Sequence, residues 1–300
     1  MVQTAIEKAK VLVEALPYIE KFHNKTVVIK YGGNAMINDE LKKAVLQDVI
    51  LMRYVGMRPV LVHGGGPAIS ETLARLSIPS EFIDGMRVTN EATMEVVEMV
   101  LAGKVNKDLV TRINQLGGNA VGISGKDGGM IKCEKLFKTK LDEDGIAQVI
   151  DLGFVGSVTK VDTALIESLL DNGYIPVIAP IGVDENSKSY NINADLVAGD
   201  IAGALHADKF VLLTDIEGVC DGKGSEKGNV ISTLSIQEIE HLIRENIIHG
   251  GMIPKVECCT NAIQKGVTRA HIIDGRLPHS ILLEIFTDEG IGTMIEKGEA

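Results

Sequence analysis

No run of about 18 uninterrupted apolar residues occurs in this 300-residue chain, so no membrane-spanning helix is expected. No Lys/Arg run occurs either, and the formal net charge is −11, which argues against an electrostatic hold on nucleic acid. The four cysteines, Cys133, Cys220, Cys258 and Cys259, lack zinc-ligand spacing. Free thiols in a reducing cytosol fit them best, and a cytoplasmic location is the expectation. Glu7, Lys8, Lys10 and Glu14 interrupt the apolar residues of the N-terminus, which therefore does not read as a signal peptide. Two phosphate-binding signatures are missing: Gly-x-x-x-x-Gly-Lys-Ser/Thr, and the dinucleotide pattern Gly-x-Gly-x-x-Gly. There is no internal repeat and no low-complexity segment. The histidines form no metal cluster: His63 reads as structural, and His206, His241 and His249 read as surface residues.

What is present is ample apolar material, 45% of the chain, enough for one large domain or two ordinary ones. Ile6, Ala9, Leu12, Val13 and Leu16 recur at helical spacing, with Thr4 and Glu7 as a capping box. Pro17 kinks or ends this helix, and residues 18–23 can continue it. From Thr26 strands and helices alternate. Strands are expected at 26–30, 59–62, 120–124, 174–179, 210–214, 270–273 and 293–295. Helices are expected near 39–55, 67–76, 91–116 (one or two), 162–171, 194–205, 236–245, 253–265 and 279–286. Residues 130–160, rich in β-formers, read as antiparallel hairpins. The glycine- and charge-rich loop 221–229 fits no motif. The pattern predicts an α/β fold with a mostly parallel sheet covered by helices on both faces. Ligands of such sheets gather at the carboxyl ends of strands, where Lys30, Gly64–Gly66, Pro180 and Asp215 fall.

Two lysines stand beside glycines. Lys30 ends the run Val27-Val28-Ile29 and leads into Tyr31-Gly32-Gly33; Lys255 follows Gly250-Gly251-Met252-Ile253-Pro254. A lysine ending a buried strand must find water or an anion. Gly64-Gly65-Gly66 is either a tight turn or a close backbone approach to a ligand, and one glycine would serve the turn. Strand–glycine–helix junctions offer N–H groups to anions, and two lysines aimed into one suggest phosphoryl transfer. Arg87, in Gly85-Met86-Arg87-Val88-Thr89, is a surface arginine or a bidentate clamp for a carboxylate. Asn191, Asn193 and Asp195 are a loop with a helix cap, or a set in which the asparagines bind a polar substrate and Asp195 is the counter-charge that holds the lysines. Thr214 and Asp215, before Ile216-Glu217-Gly218, are a turn or a nucleotide edge.

Taken in order, these segments resemble the amino-acid kinase family, and more narrowly its acetylglutamate kinase branch. The lysine–glycine and triple-glycine segments belong to the wider family; Gly-Met-Arg-Val-Thr and Tyr190-Asn191-Ile192-Asn193-Ala194-Asp195 are more specific. The resemblance implies a three-layer αβα sandwich with β-hairpins and an N-terminal helix. It implies an oligomerisation helix at 1–24, an amino-acid-binding lobe at 25–182 and an ATP-binding lobe at 183–300. Lys30, Lys255 and Asp195 would be catalytic; Gly65, Gly66, Arg87, Asn191 and Asn193 would bind the substrate. Gly32, Gly33 and Gly64 would face phosphate, and Thr214, Asp215 and Gly218 the nucleotide. The substrates would be N-acetyl-L-glutamate and ATP, with Mg²⁺ brought in by the nucleotide and no dedicated protein metal site. The segment Tyr18-Ile19-Glu20-Lys21-Phe22 and the region of His271, Glu284 and Gly290-Ile291-Gly292-Thr293 are similar to arginine-inhibited members. There such residues surround the effector arginine, and the helix links three dimers into a hexamer. A PII-type regulator is a further partner that the resemblance raises. The alternatives are a related kinase with another acceptor, such as glutamate, aspartate, carbamate or a nucleotide, and a non-catalytic arginine-sensing protein.

Overall fold

The structure, a computed structural model, describes residues 6, 9–10, 13–36, 38–141, 147–222, 228–287 and 290–298. Thr4, Glu7 and Leu12 of the N-terminal helix and residues 223–227 of the loop lie outside them. The chain divides into two compact units, Met1–Pro59 with Leu205–Ala300, and Val60–Ala204. This partition differs from the lobes 25–182 and 183–300 expected from the sequence, because the chain returns to the first unit after residue 204.

In the first unit, helix Leu16–Phe22 begins at a turn at Ala15, with Pro17 in its opening turn, where a missing N–H costs nothing. Strand β1 (Thr26–Tyr31) carries the fully buried Val27, Val28 and Ile29. Helix Asp39–Tyr54 follows, capped by Asn38, whose side-chain oxygen accepts from the N–H of Glu40 and Leu41 at 2.9 and 3.1 Å. Strand β2 (Arg58–His63) then leads into the second unit.

That unit continues with helix Gly66–Arg75, a hairpin of β3 (Phe82–Ile83) and β4 (Met86–Arg87), and helix Glu91–Glu98. The positive φ of Asp84 and Gly85, 48° and 77°, gives the tight turn that an Asp-Gly pair favours. The helix runs on through a π-helical stretch, Met99–Val105, into helix Asn106–Gln115, without the break that two helices would need. Then come β5 (Ala120–Ser124), β6 (Ile131–Leu141), β7 (Ala147–Val161), helix Ala164–Asp171, β8 (Ile175–Ala179), β9 (Ile181–Val183), β10 (Ser189–Asn191) and helix Ala194–Ala204. Strands β2, β8 and β5 pair in parallel. The expected antiparallel pairing of 130–160 is β6 with β7, which closes with β9 and β10 into a small barrel. Ile69, Leu73, Met94, Val97, Leu101 and Ile181 form the core beneath the glycine turn.

The returning segment adds β11 (Lys209–Thr214), β12 (Thr233–Ser235), helix Ile236–Arg244, helix Ile253–Gln264, β13 (Arg269–Asp274), helix Ser280–Phe286 and β14 (Thr293–Glu296). Its sheet order is β12-β14-β13-β11-β1, parallel except where β14 runs against β13. β11 is buried along its whole length, so both sheet faces are covered, as the expected αβα layering requires.

Candidate functional site

In the second unit, β2 ends at His63 and Gly64–Gly65 turn the chain into helix Gly66–Arg75. A cavity of about 180 Å³ opens there, and Gly64, Gly65, Gly66, Arg87, Asn191 and Asn193 all line it. These are six of the residues singled out from the sequence, and Phe82, Leu101 and Val155 add apolar walls. A Cβ at Gly65 would run into Leu101 Cδ2, whereas a Cβ at Gly66 would meet nothing within 4 Å. Packing therefore explains the glycine at 65 but not at 66.

Arg87 is not a surface residue; it is 6% exposed. Its Nη1 donates to Ser80 Oγ, and Nη2 donates to Ser70 Oγ at 2.8 Å and to the Gly66 carbonyl at 3.1 Å. The Phe82 ring centroid lies 4.5 Å from the guanidinium carbon. Burial pulls the pKa below the ordinary arginine value, but a guanidinium stays charged in proteins. Ser70, Ser80 and Phe82 were not foreseen. Asn191 Nδ2 donates to Thr89 Oγ1 at 3.4 Å, and that hydroxyl donates to the Arg87 carbonyl at 2.8 Å. The two specific segments are thus joined. Asn193 Oδ1 accepts from the N–H of Asp195 at 2.8 Å and of Leu196 at 3.4 Å, so Asn193 is the helix cap and Asp195 sits in the first turn.

In the first unit, the ends of β1 and β11 lie side by side, with Lys30 level with Leu212. Lys30 folds over Gly32: a Cβ there would sit 2.6 Å from Nζ. Gly33 has φ +68°, and its missing side chain leaves room for Asp215, whose Oδ1 would be 2.6 Å from a Cβ. A second cavity, about 350 Å³, is lined by Asp215, Glu217, Gly218, Cys220, His249 and Arg276 among others. Gly218, at φ +151°, is needed against Thr293 Oγ1. Arg276 grips Asp274 through Nε and Nη2 at 2.8–3.1 Å. Burial pushes the Asp274 carboxyl up, but these bonds hold it below its ordinary value. Thr214 is buried, and its carbonyl accepts from Gly275 N–H at 2.8 Å. Lys255 rises from the first turn of helix Ile253–Gln264, just after the Gly250–Met252 turn.

Three of the residues expected to surround an effector, His271, Glu284 and Gly290, also meet in this unit. His271 Nδ1 lies 2.6 Å from Glu284 Oε1, and its Nε2 lies 3.0 Å from Lys209 Nζ. An ammonium only donates, so Nε2 accepts and Nδ1 carries the proton given to Glu284. Burial lowers the His271 pKa despite Glu284, and pulls Lys209 down to about 8. Glu284 Oε2 accepts from the N–H of Ile291 and Gly292 at 2.8 and 3.2 Å, and Gly290 (φ +60°) lies against it. Tyr18 stands on the same helix as Phe22, whose ring lies 5.0 Å from Lys209 Nζ. Lys209 was not foreseen.

Among the described residues no group of three or more His, Cys, Asp or Glu is placed to hold a metal ion, and no helix is long and apolar enough to cross a membrane. The chain is 60% identical to the acetylglutamate kinase of Heliobacterium modesticaldum, over 98% of this chain and 99% of that one. It is 56% identical to the acetylglutamate kinase of Pelotomaculum thermopropionicum, with the same two shares. Among solved structures, N-acetylglutamate synthase from Neisseria gonorrhoeae, complexed with coenzyme A and N-acetyl-glutamate, superimposes with a TM-score of 0.82 at 27% identity. That match covers 97% of this chain but only 64% of the synthase chain. The same synthase complexed with coenzyme A and L-arginine matches at 0.77 and 25% identity, over 97% and 65% of the two chains. Residues 25–274 match the amino acid kinase family, and with these relatives along nearly its whole length the chain belongs to that family.

Proposed function

We propose that the chain transfers the γ-phosphoryl group of ATP to the side-chain carboxylate of N-acetyl-L-glutamate, giving N-acetylglutamyl 5-phosphate and ADP, a step of arginine biosynthesis. The observation that carries this reading is Arg87, a buried guanidinium held by Ser70, Ser80 and the Gly66 carbonyl, on a cavity that also presents Asn191 and the triple glycine. That set suits an amino-acid α-carboxylate with polar groups beside it. The nucleophile is a carboxylate of reference pKa about 4.3, ionised at neutral pH, so no general base is required. The barrier is electrostatic, an anion attacking an anion. Lys30 and Lys255 neutralise charge on the transferring group, with Asp195 as the counter-charge that orders them. Gly65 and Gly66 donate N–H groups. The nucleotide is assigned to the cavity rimmed by Asp215, Glu217, Gly218 and Arg276. Mg²⁺ borne on its phosphates supplies further positive charge. Acetylation keeps the α-nitrogen from attacking the new acyl phosphate.

The reading extends to feedback and assembly. Arginine acts as inhibitor at the Lys209–His271–Glu284 cluster, with Tyr18 and Gly290 beside it. The helix of residues 1–24 joins three dimers into a hexamer, on which a PII-type protein can dock. Supporting this, Ile6, Val13 and Leu16 are 44%, 68% and 58% exposed within one chain, an apolar stripe in need of cover. A panel of acceptors in a coupled ADP assay tests the core claim: turnover should require N-acetyl-L-glutamate, and turnover with carbamate or aspartate in its place would overturn it.

A further inference from the structure

The reaction above makes no use of His63 or Asn106, yet both side chains are fully buried directly behind the glycine turn. Asn106 Nδ2 lies 3.1 Å from His63 Nε2, 2.9 Å from the Val177 carbonyl and 3.4 Å from that of Ile123. Its Oδ1 accepts from Lys107 Nζ at 3.1 Å, and the same ammonium donates to the Gly122 carbonyl at 2.9 Å. Gly122 makes room for this chain, since a Cβ there would collide with Asn106 Oδ1. The amide orientation follows: reversed, Oδ1 would face two carbonyl oxygens and the NH₂ an ammonium. Asn106 therefore donates to Nε2, and the ring proton is on Nδ1, which donates to the Gly64 carbonyl at 2.8 Å. Loss of water pushes the ring's pKa down to about 4, with Lys107 adding and the Gly64 bond opposing, so it stays neutral.

In a trans peptide the C=O and the following N–H point in opposite directions. A Gly64 carbonyl held toward the buried ring therefore turns the Gly65 N–H away from it, at a residue that lines the cavity. Two successive glycines would otherwise leave that peptide free to rotate. The π-helical stretch contributes twice: Leu101 packs against Gly65, and Asn106 follows directly after its last turn.

We propose that His63 and Asn106 are positioning residues for the transfer, a Lys107–Asn106–His63 chain that fixes the Gly64 carbonyl and so aims the Gly65 N–H at the reacting group. The consequence for turnover rests on the phosphoryl-transfer reading; the consequence for the glycine turn does not. The test is a pair of substitutions. His63→Asn puts an NH₂ near the Nδ1 position and keeps a donor for Gly64, while losing the Nε2 acceptor. His63→Gln reaches the Nε2 position and loses the Gly64 donor. In either variant Asn106 keeps two carbonyl acceptors for its two N–H bonds, and a melting curve of each variant reports how far the fold is retained. His63→Gln should lower kcat roughly 10- to 100-fold with the KM for ATP nearly unchanged, and its crystal structure without substrate should show the Gly64–Gly65 peptide rotated or disordered. His63→Asn should stay within about fivefold of wild-type kcat, with that peptide as in the wild type. The peptide is seen without substrate, so it decides the positioning claim even if wild-type protein fails to phosphorylate N-acetylglutamate. Equal behaviour of the two variants, in the peptide and in turnover, would overturn the proposal, as would losses that follow melting temperature alone.

Discussion

Arg87→Lys separates charge from geometry at the acceptor cavity. Lysine keeps the positive charge but loses the planar fork. It cannot reach Ser80, Ser70 and the Gly66 carbonyl together, as the guanidinium does through Nη1 and Nη2. It also loses the broad guanidinium whose carbon lies 4.5 Å from the centre of the Phe82 ring. Each charged hydrogen bond is worth about 1.5–3 kcal/mol, part of which water or a shifted ammonium replaces. Losing roughly 2–3 kcal/mol of acceptor binding corresponds to a 30- to 150-fold rise in KM. The rise should appear in the KM for N-acetylglutamate, measured by ADP release at saturating ATP, with the KM for ATP within about threefold of wild type. Arg87→Met, which removes the charge as well, should be worse. A selective loss of ATP affinity, or an acceptor KM within threefold of wild type, would refute the assignment of Arg87 to the acceptor carboxylate.

Lys30→Ala and Lys255→Ala should each reduce kcat roughly a hundredfold, about 3 kcal/mol, more than they change either KM; near-normal turnover would remove that lysine from the mechanism. Gly66→Ala should leave the melting temperature unchanged or slightly raised, since the added methyl meets nothing, while turnover falls at least tenfold because the methyl intrudes on the ligand. Undiminished turnover would show that no ligand approaches Gly66. Asp48, fully buried on helix Asp39–Tyr54 and bonded to His279 at 2.6 Å, has its pKa raised to about 6, chiefly by burial, with His279 opposing. A carboxyl whose folded pKa exceeds its unfolded value contributes stability that is full below about pH 4 and lost as pH rises through about 6. Asp48→Asn should therefore be more stable than wild type at pH 7.5, by at most roughly 3 kcal/mol, with the advantage gone below about pH 4. A denaturant titration showing it less stable at pH 7.5 would mean that the His279 bond outweighs burial.

The elements legible in the sequence are those whose burial leaves a local trace. β1 and β11 are apolar on both faces, and they emerge within a residue or so of the expected bounds. Gly64–Gly66 could be placed because they follow β2 and open a helix, where the ligands of parallel sheets gather, whereas Arg87, Asn191 and Asn193 are joined to them by the family resemblance of their segments. What the sequence hid depends on pairs far apart in the chain. Ser70 and Ser80 become partners of Arg87 only once β3 and β4 fold back at Asp84–Gly85, an Asp-Gly signal flanked by strands too short to register. Asn106 reaches His63 across 43 residues, and Lys209 reaches His271 across 62 because β11 and β13 pair in register. The polar residues 184–188 form the turn between β9 and β10, where Asp184 accepts from the N–H of Asn186 and Lys188 at 2.9 and 2.8 Å, a pairing that only the folded turn reveals.

The central claim is that the side-chain carboxylate of N-acetyl-L-glutamate receives the phosphoryl group, and the bond formed is itself testable. An acyl phosphate is captured by hydroxylamine as a hydroxamate, whereas a phosphate ester is not. With ATP, Mg²⁺, N-acetyl-L-glutamate and hydroxylamine, the protein should form hydroxamate and ADP in equal amounts, and Lys30→Ala should lower both together. ADP released without hydroxamate, or hydroxamate formed equally well when N-acetylglutamate is replaced by another acceptor, would contradict it.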